Sequence, residues 1–225
     1  MAPYSSVQSR PIALSPSVEG QVYALFAVAM GLTVLGVWLG MTVALPLLAS
    51  GWAMALLIAE LAIILTAGLW MHKSPLNSLL FGLFPILSGL TFTPYLLYIL
   101  SAYANGASIL INALSATATA SLAAAIFART TSWNLSGLRG ALFFAVIGLI
   151  VMSLLQLFIP GLRSTQFELL LSGAGIIVFS LFTAYDIQRI QAQGRAGASP
   201  FLLALSLYLD IYNLFLYILR FMVAF

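Results

Sequence analysis

Five carboxylates make up the whole acidic complement of this 225-residue chain. Glu19 and Glu168 fall near the ends of apolar runs, where water is at hand, whereas Glu60, Asp186 and Asp210 fall inside them. A charged side chain at the centre of a bilayer costs roughly 2.5–3.5 kcal/mol on insertion scales. Each of these three therefore needs a proton, a partner or a function. Asp186 stands one turn before Arg189, a cation placed to favour its ionised form. Asp210 belongs to a row, Ser206, Asp210, Asn213 and Tyr217, spaced i, i+4, i+7, i+11, which forms one stripe on a helix. The remainder of that segment, Arg220 near its end aside, is apolar or aromatic, mostly Leu, Ile, Phe, Ala and Tyr, so the stripe is expected to face a bundle interior. Two carboxyl groups that meet there cannot easily both ionise; they would share a proton and respond to pH. Deprotonated, Asp186 and Asp210 would offer oxygen ligands to a hard cation such as Ca²⁺, for which protons would compete.

The elements that position these residues follow from composition. Hydrophobic residues are 63% of the chain and charged residues 6%, against about 25% charged in a soluble domain. The expected solvent of such a surface is lipid. Apolar runs bounded by Pro, Gly or charge predict seven helices: Val22–Met41, Gly51–Trp70, Asn77–Leu97, Gly106–Phe127, Leu138–Phe158, Phe167–Ile190 and Pro200 to the end. The chain thus reads as an all-α integral membrane domain over residues 22–225, preceded by a polar tail, 1–21. The first apolar run begins too late and runs too long for a cleaved signal, so it is expected to be kept as the first helix. The chain has no cysteine, which excludes disulfides and thiolate metal sites, and its net charge of +3 contains no Lys/Arg run. Nucleic acid is therefore not an expected partner.

With seven spans, Arg10, Lys73, Arg129, Arg139, Arg189 and Arg195 fall on one side and Arg163 and Arg220 on the other. The positive-inside rule makes the first side cytoplasmic, with the N-terminus inside and the C-terminus outside. Arg220 is expected to snorkel to the outer interface. Small residues in the fourth helix, Ala113, Ser115, Ala116, Ala118, Ala120 and Ala123 to Ala125, predict close helix packing. A count of helical rise places Asp210 ~9 Å deeper than Asp186, a gap that tilt, a kink or a shifted helix boundary must close.

Two segments carry a resemblance. Phe179-Ser-Leu-Phe-Thr-Ala-Tyr-Asp186-Ile-Gln-Arg189-Ile190 resembles the sixth-helix motif of the Bax inhibitor family, also called the lifeguard family. Ala204-Leu-Ser-Leu-Tyr208-Leu-Asp210-Ile-Tyr-Asn213-Leu-Phe215-Leu-Tyr-Ile-Leu219-Arg220 resembles its last-helix motif. Gly89-Leu-Thr with Pro94, and Glu60, also fit. The likeness covers about Val22 to Phe225. It implies seven helices with the last one central, ringed by the other six. It also implies a pH-sensitive calcium leak gated by a hydrogen-bonded aspartate pair, which maps onto Asp186 and Asp210. Some members carry an arginine at the cytoplasmic end of the second helix that latches onto the last-helix aspartate. Here that stretch is Trp70-Met71-His72-Lys73, leaving His72 or Lys73 to substitute, or no latch at all. A bacterial plasma-membrane monomer is expected, with no cofactor beyond the ion carried.

Two other classes compete with the leak. Some bacterial relatives are linked to a membrane-bound AAA protease as modulators or substrates, and the polar tail would serve as the handle for a non-transporting regulator. An intramembrane protease would need a Ser–His dyad, a metal site or a catalytic aspartate pair. His72 is the single histidine, lies at a helix end and has no evident partner. Asp186 and Asp210 lack the glycine-rich surroundings expected of an aspartyl protease, so an enzyme is not expected.

Overall fold

The computed structural model describes residues 17–44, 46, 51–195 and 198–225. Most of the polar tail, and Arg10 with it, lies outside the described residues, as does the side chain of Arg195. Apolar segments in lipid must satisfy their own backbone groups, and the described chain does so with helices. They are α1 (Val18–Thr42), α2 (Ala53–Leu65), α3 (Leu76–Ala102), α4 (Gly106–Thr130), α5 (Arg139–Phe158), α6 (Thr165–Arg195) and α7 (Pro200–Ala224). Among the described residues six helices are long and apolar enough to cross a membrane, and α2 is shorter than these. The chain is an all-helical membrane protein.

Local chemistry moves several boundaries from those expected. The Ser17 side chain accepts from the Gly20 amide and starts α1 four residues ahead of Val22. The run Gly51–Trp70 is broken at Thr66, whose hydroxyl donates to the Ala62 carbonyl (2.6 Å). A further helical turn, Ala67–Trp70, follows, and Trp70 Nε1 ties it back to the Ile63 carbonyl (3.1 Å). The third helix continues through Pro85 and Pro94 to Ala102. Between the prolines, the hydroxyls of Thr91 and Thr93 donate to the Leu87 and Gly89 carbonyls. Likewise α6 runs to Arg195 rather than ending at Ile190.

The last helix, α7, has several neighbours. It contacts α6, α1, α4 and α3, and more than half of its most apolar stretch is buried. By contrast α2 packs on α3, and α5 packs on α6. Two apolar clusters fill the interior. One holds Leu203 to Leu205, Leu207 and Tyr208 of α7 with Phe84, Ile187 and Ile190. The other holds Leu214 and Tyr217 to Leu219 with Ile99, Ile109 and Phe179. Asp210 and Asn213 lie on α7 between the two.

A backbone-to-backbone helix approach lies between α1 and α3, where a Cβ on Gly36 would overlap the Ile86 carbonyl and one on Gly89 would overlap the Thr33 carbonyl. In α4, Ala113 and Ala124 are buried and Ala116, Ala120 and Ala125 half-buried, as close packing requires. Ser115, Ala118 and Ala123, however, face outward.

Candidate functional site

The extra length of α6 decides the geometry of the aspartates. With its end at Arg195, Asp186 stands about nine residues, or ~13 Å, from the end of α6. Asp210 stands about ten residues, or ~15 Å, from the start of α7. The two helices are antiparallel neighbours, so the expected ~9 Å mismatch shrinks to about one residue's rise. The carboxyl groups accordingly lie in hydrogen-bonding reach of one another. Asp186 is 2% exposed and Asp210 6%.

Their surroundings supply few donors. Arg189 Nη1 lies 3.4 Å from Asp186 Oδ1 and 3.4 Å from Ser206 Oγ, so α6 and α7 are linked beside the pair. Asp186 Oδ2 and Asp210 Oδ2 are both buried and find no donor among the described residues. Two ionised carboxylates have only acceptors, so a bond between them requires a proton on one. Unsatisfied buried acceptors of this kind are costly. The site is chemically suited to holding a proton or to giving it up to a cation.

Cavities lie at both ends of this polar waist. At the Arg189 end a cavity of about 360 Å³ is lined by Asp186, Arg189 and Ser206 together with Arg139 and Phe143 of α5. At the Arg220 end a cavity of about 440 Å³ is lined by Glu168, Arg220, Tyr95, Tyr217 and Asn213. Asn213 is one turn along α7 from Asp210. Its amide nitrogen donates to the Leu209 carbonyl (2.8 Å). The stripe read from the sequence is placed residue by residue: Ser206 at one cavity, Asp210 beside Asp186, Asn213 at the other cavity, and Tyr217 stacked on Phe179.

The other singled-out residues lie elsewhere. Glu60 faces α3, as a carboxylate in an apolar helix should. It accepts from Thr91 Oγ1 (2.7 Å) and Ser88 Oγ (3.5 Å). The Ser88 carbonyl in turn accepts from Tyr212 of α7 (2.9 Å), so Glu60 reaches the last helix without touching the aspartates. His72 and Lys73 are exposed, and their side chains make no hydrogen bond or ion pair among the described residues. Trp70 and Met71, not His72 or Lys73, point into the core. Neither His72 nor Lys73 replaces the second-helix arginine. The cation beside the pair is Arg189, from α6 itself. Arg220 does not snorkel free either: it grips Glu168 through Nε (2.6 Å) and Nη2 (3.1 Å), with Gln156 bridging both. Spacing could not have revealed that pair, because the residues stand 52 positions apart. Among the described residues no group of three or more His, Cys, Asp or Glu side chains could hold a metal.

A helical membrane protein with a buried acid pair on two neighbouring helices is what fold and site define. A model of the family described as inhibitor of apoptosis-promoting Bax1 matches residues 16–225. The inner membrane protein YbhL of Escherichia coli is 30% identical over 233 residues, covering 97% of this chain and 96% of its own. An uncharacterized protein of Helicobacter pylori is 33% identical, covering 88% of this chain and 82% of its own. An uncharacterized membrane protein of Streptococcus pyogenes is 31% identical over 74% of this chain and 71% of its own. The chain belongs to the Bax inhibitor family.

Proposed function

We propose that this protein is a proton-regulated Ca²⁺ leak of a bacterial inner membrane, acting as a monomer and not as an enzyme, with Asp186 and Asp210 as its gate. The observation that carries the reading is the buried pair of unsatisfied carboxylate oxygens with a cavity on either side. When the pair holds a proton, the two acids bond to each other and the waist is closed. When the proton leaves, two anionic oxygens repel and attract a cation in its place. Ca²⁺ takes about six to eight oxygen ligands. Two carboxylates supply a minority of them, so the ion keeps most of its water and is released readily, as transit requires.

The topology goes with this reading. With the turn Ala67–Trp70, α2 covers positions 53–70, ~27 Å of rise. That approaches the ~30 Å hydrocarbon core and makes it the seventh span. The last helix is then the central one, with α2 and α5 as outer layers over α3 and α6. Lys73, Arg129, Arg139 and Arg189 share one end, which becomes the cytoplasmic one. The N-terminus is inside and the C-terminus outside. The name of the Escherichia coli relative supports the inner membrane as location.

The test is Ca²⁺ flux into liposomes between about pH 5 and 8, the range of a carboxyl group perturbed by burial and a like charge. Asp186→Asn and Asp210→Asn should each remove most of the pH dependence. The double variant should be little worse than either single, since members of one unit are not additive. Single variants that keep the wild-type profile overturn the proposal. They would leave the reading in which the protein regulates a membrane-bound AAA protease through its N-terminal tail.

A further inference from the structure

A second feature of the bundle is unrelated to the aspartates. Between α1 and α4 runs a groove of about 570 Å³ floored by Ile211, Tyr212 and Phe215 of α7. Both walls rest on α7, but among the described residues α1 and α4 do not pack closely on one another, so the groove opens sideways. Its rim residues Val34 and Leu114 are 69% and 55% exposed.

The dimensions select an occupant. On α1 the lining runs from Phe26 to Val37, and on α4 from Leu110 to Ser121. Each stretch is about eleven positions, or ~16 Å of rise. The hydrocarbon core is ~30 Å thick, so one leaflet contributes ~15 Å. The upper limits, Val37 and Leu110, lie about five residues or fewer, ~6–8 Å, from the helix ends Thr42 and Gly106. The groove thus begins just below the interface at the Arg220 end and is as long as one leaflet is deep. Its threonines turn their hydroxyls onto their own helices: Thr33 onto the Ala29 carbonyl and Thr117 onto the Ala113 carbonyl. Apart from the buried hydroxyl of Ser121 at one end, what remains facing the groove is apolar. Ala118 faces it too, which accounts for a small residue exposed on α4 with no helix against it.

We propose that this groove is a binding site for one acyl chain of a phospholipid from the leaflet at the Arg220 end, held between α1 and α4 against α7. A hydrocarbon solvent fills any lipid-facing crevice. A crevice of leaflet length with a fixed floor holds one chain in preference to the surrounding pool.

The experiment uses the full-length protein in vesicles containing phosphatidylethanolamine with a diazirine midway along one acyl chain. After illumination, adducts are mapped by mass spectrometry. Adducts should concentrate on Phe26–Val37 and Leu110–Ser121. Ala118→Phe, which puts a ring into the groove, should reduce them several-fold, while Leu122→Phe, on an exposed position of the same helix outside the lining, should not. Val34→Trp fills the groove from the opposite wall and serves if Ala118→Phe does not fold. Adducts spread evenly over exposed residues such as Leu61, Phe144 and Ile177 would overturn the site as ordinary lipid contact. So would an adduct pattern that a folded filling variant leaves unchanged.

Discussion

Gly89→Ala measures how closely α1 and α3 must approach. A Cβ at Gly89 would overlap the Thr33 carbonyl oxygen and would stand 2.7 Å from the Val37 amide nitrogen and 2.9 Å from the Gly36 Cα. All three are backbone atoms of α1, so no side-chain rotation relieves the clash and the helices must part. Overpacking costs about 1–3 kcal/mol, and backbone against backbone belongs at the upper end. Alanine in place of glycine in a helix returns about 1 kcal/mol. The net expectation is ~2 kcal/mol of destabilisation. The control is Gly31→Ala on α1, where nothing lies within 4 Å; there the helix gain of about 1 kcal/mol stands alone. For chains of this length each kcal/mol moves the unfolding temperature by about 2–4 °C. Gly89→Ala should therefore melt ~4–8 °C lower and Gly31→Ala ~2–4 °C higher. The assay is thermal unfolding of all three proteins in one detergent, followed by helical circular dichroism. The crossing also places Thr33, which hydrogen-bonds Tyr208 of α7 at 2.8 Å, so the loss should extend to the central packing. Equal stability of Gly89→Ala and Gly31→Ala would refute the close contact.

Three further outcomes follow from the site. Arg189→Gln removes the cation 3.4 Å from Asp186, so the pH of half-maximal flux should rise; an unchanged or lower midpoint would show that the contact does not bear on the pair. Glu168→Gln loses the charge on both bonds from Arg220 and should cost about 1.5–3 kcal/mol, the range for hydrogen bonds to charged groups; an unaltered denaturation midpoint counts against it. Glu60→Gln keeps an acceptor for Thr91 and should preserve both stability and the pH profile of flux; a shifted profile would place Glu60 on the ion path.

Much of the site could be read from residue types because lipid penalises polar groups one at a time. An acid in an apolar run must face protein whatever the topology, and Glu60, Asp186 and Asp210 all do. The stripe on the last helix was equally readable, because helical periodicity is local. The partners were not. Glu60 meets Thr91 and Ser88, and Glu168 meets Arg220, through helix pairings that no spacing along the chain encodes. Whether His72 or Lys73 stands in for the latch arginine could not be read either, for the same reason: a charge at a helix end is near the site only if that end is turned towards it, and both side chains are exposed.

Composition and periodicity alone settled that this chain is helical, lipid-embedded and built around a few buried acids, because the transfer energies involved act on each residue independently of its neighbours in space. Tertiary structure decided what depends on distances between helices. Five more residues of α6 remove most of the rise that would otherwise separate Asp186 from Asp210. Gly36 and Gly89 let the backbones of α1 and α3 meet. The alanine left facing outward at 118 lies along a groove that exists because α1 and α4 both rest on α7 and, beyond the Glu19–Arg129 ion pair at one end, do not pack closely on each other.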